Sequence, residues 1–118
     1  MPRDHTYLLD ILEAARLALG YVRCVSQDAF LRDVQLQDSV IRRLEIIGEA
    51  ARRISEATRE TIPGIPWSEM IGMRNLTIHQ YDNVDLEIVW DTVQHNLPKL
   101  IAQIQPLIPP EEPGQEAK

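Results

Sequence analysis

Val40, Leu44, Ile47, Ala51 and Ile54 step along the chain by four, three, four and three residues. An apolar row with that alternation runs down one side of a helix, because a helix turns once in 3.6 residues and a strand repeats every two. The row predicts a long helix over about Gln35–Arg59, packed along its length against other helices. On its outer side Arg42, Glu45, Glu49, Arg53 and Glu56 form a mixed-charge row at the same spacing. Such a row reads first as a solvated face laced with ion pairs. The other reading, in which Arg42, Arg43, Arg52 and Arg53 grip a phosphate backbone, is weakened by the interleaved glutamates.

The rest of the chain follows the same period. Leu8, Ile11, Leu12, Ala15, Leu19 and Val22 predict a first helix from about Asp4 to Cys24, with Asp4 as its N-cap. Ser26 then caps one or two helical turns in SQDAFLRDV. Two prolines and a glycine in Ile62-Pro63-Gly64-Ile65-Pro66 stop the long helix. Another helix begins at Trp67-Ser68-Glu69 and runs to about His79 or Tyr81, with Ile71, Leu76 and Ile78 as buried candidates. Asp85 is the expected N-cap of a final helix whose buried row is Leu86, Val89, Val93, Leu97, Leu100, Ile104 and Leu107. Pro98 lies inside that row and should kink it. After Ile108 the polar, proline-rich PPEEPGQEAK reads as a disordered tail over 109–118. The expectation is an all-α, antiparallel bundle of four to five helices over residues 1–108, in one domain.

Charge excludes less than it first suggests. The 118 residues carry a formal net charge of −6, which argues against a nucleic-acid partner. Yet residues 1–81 hold ten arginines and eleven acids, a net −1, and residues 82–118 carry the other −5. Cys24 is the one cysteine, which leaves no internal disulfide and no thiolate zinc site. It reads as a small apolar residue near the end of the first helix. The opening MPRDHTY does not resemble a signal peptide, and no apolar run is long enough to span a membrane. A reducing cytoplasm is the expected location.

Chemistry concentrates in Gly72-Met73-Arg74-Asn75-Leu76-Thr77-Ile78-His79-Gln80-Tyr81. Helical geometry stacks Asn75 and His79 at i, i+4, and Arg74 and Tyr81 share a neighbouring stripe if the helix persists. An imidazole, an amide, a guanidinium and a phenol at one helix end suit phosphodiester cleavage without a metal or other cofactor. A histidine titrating near neutrality can take a proton from a ribose 2′-hydroxyl or give one to a leaving 5′-oxygen. An arginine offers fixed donors to a phosphate as negative charge builds. One histidine cannot easily be both acid and base, so a dimer presenting two such helices has a physical rationale. The bland alternative stays open: His79 could be a cap, and Arg74 could pair with Glu69 or Asp82. His5, His79 and His95 lack metal-ligand spacing.

At these residues the chain resembles the HepT-like branch of the HEPN superfamily, the toxin partners of minimal nucleotidyltransferase antitoxins. The family signature is Arg, a polar residue, three more, His, any residue and Tyr, matched here by Arg74, Asn75, His79 and Tyr81. IIGEAARRIS (46–55), IPWSEMIGMRN (65–75), VDLEIVW (84–90) and NLPKL (96–100) are similar to the family in the same order. The resemblance covers roughly residues 4–108. It implies a HEPN-type bundle that dimerises with both motifs facing a shared cleft. It implies metal-independent cleavage of RNA, tRNA or mRNA, leaving a 2′,3′-cyclic phosphate. It implies His79 as acid/base, Arg74 as the phosphate-stabilising residue, Asn75 as an orienting residue and Tyr81 as a tyrosine that the antitoxin modifies with AMP. A nucleotidyltransferase partner and higher hetero-oligomers with it follow from the same likeness. The competing expectation is a non-catalytic HEPN scaffold or nucleotide-binding module, or a plain bundle in which Arg74 and His79 only build an interface.

Overall fold

A computed structural model describes the backbone of residues 2–78 and 85–108, and the side chains of residues 3–72 and 85–108. Helix α1 spans Pro2–Tyr21, α2 Gln27–Leu31, α3 Val34–Arg53, α4 Glu56–Thr61 and α5 Trp67–Ile78. The last rod is α6 (Leu86–Asp91), a π-helical turn over Thr92–Asn96, α7 (Leu97–Ile104) and a 3₁₀ turn at Gln105–Leu107. No strand occurs among the described residues. The protein is therefore all-α, as expected. The stretch 109–118, read above as a tail, lies outside the described residues.

Helix α3 is central: α1 lies along it on one side, α5 along another, and α7 packs on α1. The apolar row of α3 explains this, since Val40, Leu44, Ile47, Ala51 and Ile54 are all essentially inaccessible. Leu8, Ile11, Leu12, Ala15 and Val22 of the first segment join them, as do Val89, Val93, Leu97, Leu100 and Ile104. Leu19 and Leu86 are half-buried and packed at the margin of this core. Leu107, expected inside, is exposed, because the chain has left the regular helix by then. The caps of the short helices fall where the sequence put them. Ser26 Oγ accepts from the Ala29 amide at 3.1 Å, and Asp85 Oδ1 accepts from Glu87 and Ile88.

The helix read over 35–59 is two helices. Ile54 adopts an extended conformation (ψ 135°), and Ser55 restarts the chain as the N-cap of α4, its Oγ accepting from the Thr58 amide. The break is held from both sides. Arg59 reaches back from α4 and donates to the carbonyls of Ala51 and Arg52 (3.1 and 2.9 Å), satisfying the end of α3.

Asp4 holds the other side and is not an N-cap of α1. It lies within α1, 5% exposed. Its carboxylate accepts from the Ser55 amide (3.2 Å), the Ser55 hydroxyl (2.7 Å) and the Thr58 hydroxyl (2.5 Å). The Thr58 hydroxyl first, and then that of Ser55, hold its carboxyl below the usual carboxylate range, against burial, which pushes it up.

One further expectation changes, and that for Pro98 takes a specific form. Cys24 is exposed, beyond the end of α1, in a left-handed conformation (φ 63°) that terminates the helix; it is not part of the apolar row. Pro98 produces a π turn just before it. Having no N–H, it cannot bond the Gln94 carbonyl, and the preceding Leu97 amide reaches five residues back to Thr92. Of the mixed-charge row on α3, Arg42 and Glu45 pair at 3.3 Å.

Candidate ribonuclease site

The start of α5 is fixed more firmly than its sequence predicts. Trp67 Nε1 donates to the Ile62 carbonyl (3.2 Å), folding the indole over the Pro-Gly loop. The Met70 amide bonds the Pro66 carbonyl, and the Met70 side chain is fully buried. From the other side Gln103 of α7 donates Nε2 to the Gly64 carbonyl at 2.7 Å. Loop, α5 and α7 are thus joined at one point, and the helix leaves it in a set direction along α3.

Arg74 and Asn75 lie on that helix, inside α5. Arg74 follows Met70 by one turn and Asn75 follows Ile71 by one turn, so the register carries both positions along the stripe that begins in the core. Their side chains lie outside the described residues. His79 and Tyr81 lie outside them altogether, as do the side chains of Leu76 and Ile78.

A cleft of about 220 Å³ opens beside the first turn of α5, between it and α7. Met70 and Leu100 form its floor, and Glu69, Asn96 and Lys99 its rim. Residue-by-residue reading missed this rim, because it is made by helices some thirty positions apart and no local pattern announces such a pairing. His5 and His95 are both exposed, and His95 Nδ1 lies 3.3 Å from the Asp91 carbonyl. Among the described residues no three His, Cys, Asp or Glu side chains gather as metal ligands. No helix among them is long and apolar enough to cross a membrane.

The helical bundle and the motif-bearing α5 meet a family model described as ribonuclease HepT-like, which matches residues 11–107. The chain belongs to the HepT-like ribonuclease family. It is 42% identical over 108 residues to a protein of Thermococcus cleftensis named "Probable ribonuclease HepT", covering 91% of this chain and 98% of that one. It is 33% identical over 92 residues to the mRNA nuclease HepT of Shewanella oneidensis, covering 58% of this chain and 69% of that one. No solved structure gives a significant match. The HepT-like match runs through α3, α5 and α7, so it includes the helices that set the position of the motif.

Proposed function

We propose that this HepT-like protein is the endoribonuclease toxin of a pair with a minimal nucleotidyltransferase antitoxin, and that it cuts RNA in the cytoplasm as a homodimer without a metal. The observation that carries the reading is the order Arg74, Asn75, His79, Tyr81 along and just beyond α5, inside the span of the family match. His79 takes the proton from a ribose 2′-hydroxyl as its oxygen bonds the adjacent phosphorus. The bond to the 5′-oxygen breaks, and a proton returns to that oxygen from the second histidine of the dimer. The products are a 2′,3′-cyclic phosphate and a 5′-hydroxyl. Arg74 stabilises the charge that builds on the phosphate, and Asn75 orients it.

Neutralisation follows from the same layout. The antitoxin transfers AMP from a nucleoside triphosphate to the Tyr81 oxygen, with pyrophosphate leaving. A bulky anion then stands beside Arg74 and excludes the RNA phosphate.

The test is purified protein with total tRNA or mRNA in EDTA, with analysis of the ends formed. Cyclic-phosphate ends are expected, and Arg74→Ala or His79→Ala should reduce cleavage by about 10²-fold or more while the oligomer persists. If wild type and both variants are equally inert as folded dimers, the catalytic reading fails and a scaffold role takes its place. Tyr81→Phe should abolish the mass increase that the antitoxin and ATP produce.

A further inference from the structure

A larger cleft, of about 590 Å³, lies where α1 ends, between its last turns and the rod of α6 and α7. Its lining is unusual for a chain of net charge −6. Arg16 and Arg23 stand on it, and among the described residues no carboxylate does. Both guanidiniums are exposed, and neither has a hydrogen-bond or ion-pair partner among the described residues. Arg16 stands in the last turns of α1, and Arg23 follows seven positions later in the turn just beyond Tyr21. Between them the floor is apolar, formed by Leu19, Val22, Val25 and Ile101, with the Gln94 amide at the side. The left-handed turn at Cys24 closes the end next to Arg23.

We propose that this cleft is a second contact for the RNA strand, outside the cleavage motif, in which Arg16 and Arg23 each hold a phosphate of a single-stranded segment. The proposal rests on the ribonuclease reading above. Two arginines with no partner or competing acid among the described residues supply the attraction that the whole-chain charge lacks. The apolar floor and one amide suit an unstacked base, which presents a flat apolar face and a polar edge. The site also shares a wall with the cleft beside α5. The last rod links the two clefts: Gln94 and Ile101 line this one, and Asn96, Lys99 and Leu100 line the one beside the first turn of α5.

Cys24 is the one cysteine of the chain, exposed and on the cleft wall, and it therefore serves as a reporter. A 2′-O-methyl RNA oligonucleotide cannot be cleaved by 2′-hydroxyl attack, so its binding separates this site from catalysis. Bound at saturation, it should slow alkylation of Cys24 by a maleimide at least fivefold. For single strands each phosphate contact contributes about 0.7 to the slope of log K against log salt. Arg16→Ala/Arg23→Ala should therefore flatten the slope by about 1.4. Between 50 and 200 mM salt wild type would lose about sevenfold more affinity than that variant. Arg16→Lys/Arg23→Lys should keep the wild-type slope. An oligonucleotide that binds without protecting Cys24, with a slope unchanged in the alanine variant, overturns the exosite and leaves the nuclease intact. Protection and a flattened slope in a protein that never cuts RNA would sink the nuclease reading and leave the exosite standing. No binding of the oligonucleotide by wild type overturns the exosite.

Discussion

Replacing Asp4 tests whether a single carboxylate in the first helix fixes a break fifty residues away. Three donors converge on it: the Ser55 amide, the Ser55 hydroxyl and the Thr58 hydroxyl. A hydrogen bond to a charged group contributes about 1.5–3 kcal/mol, and three bonds to one carboxylate do not add in full. The Ser55–Thr58 region is only part-buried, so water can replace some of what is lost. Asp4→Ala should therefore cost about 3 kcal/mol, a large share of the 5–15 kcal/mol typical of a domain, and lower Tm by roughly 10 °C. Asp4→Asn keeps an acceptor without the charge and should cost about half as much.

The sign of the pH dependence follows from the direction of the shift. The folded carboxyl titrates below its unfolded value because Thr58 and Ser55 bond the charged form. The stabilisation is therefore complete above the unfolded pKa, near pH 4, and is lost as pH falls through the lower folded value. Urea unfolding of wild type and Asp4→Asn should show a constant gap from about pH 7 to 5 that narrows in more acid solution. A gap that is flat down to pH 3, or an Asp4→Ala variant within about 0.5 kcal/mol of wild type, would refute the reasoning.

Two other substitutions probe the ends of the bundle. Phe30 is fully buried on the one-turn-and-a-half helix α2 and meets the Trp90 ring at 5.3 Å, so Phe30→Ala should cost about 3–5 kcal/mol in denaturant unfolding. Cys24 holds a left-handed conformation that strains any residue with a Cβ, so Cys24→Gly should raise stability by about 0.5–1 kcal/mol and the β-branched Cys24→Val should lower it; equal urea midpoints for the two variants would contradict this.

What the sequence made legible was whatever repeats locally. The α3 row, the α1 row and the buried side of α6–α7 were readable because each is a period of one helix. The Ser26 and Asp85 caps were readable because a cap acts over three residues. What failed depends on partners distant in the chain. Val40 to Ile54 keeps its spacing up to the break, so the row gives no sign that the helix stops there. The stop depends on Asp4 and Arg59, whose roles appear once α1 lies beside α4. Asp4 is a residue type suited to an N-cap, but it caps nothing in α1 and instead braces Ser55, the N-cap of α4. Phe30 and Met70 were overlooked as core residues because a five-residue helix is too short for a stripe and α5 spreads its apolar residues round its axis. The cleft with Arg16 and Arg23 was invisible for the same reason, since it is a property of two helices.

The motif was legible for a different reason, and the fold gives it physical sense. Along one stripe of α5 the sequence passes from Met70 and Ile71, packed in or against the core, to Arg74 and Asn75 a turn later. Along this register the chain therefore changes from apolar to polar chemistry within one helical turn. Met73 and Leu76 carry apolar side chains at registers about 60° and 120° round the helix from Met70, away from Ile71. A helix with apolar residues on more than one side needs a second packing surface, and a single chain of this size has α3 as the main partner of α5. In the homodimer proposed above, a second copy would cover the extra apolar registers and bring another Arg74 and Asn75 beside the first.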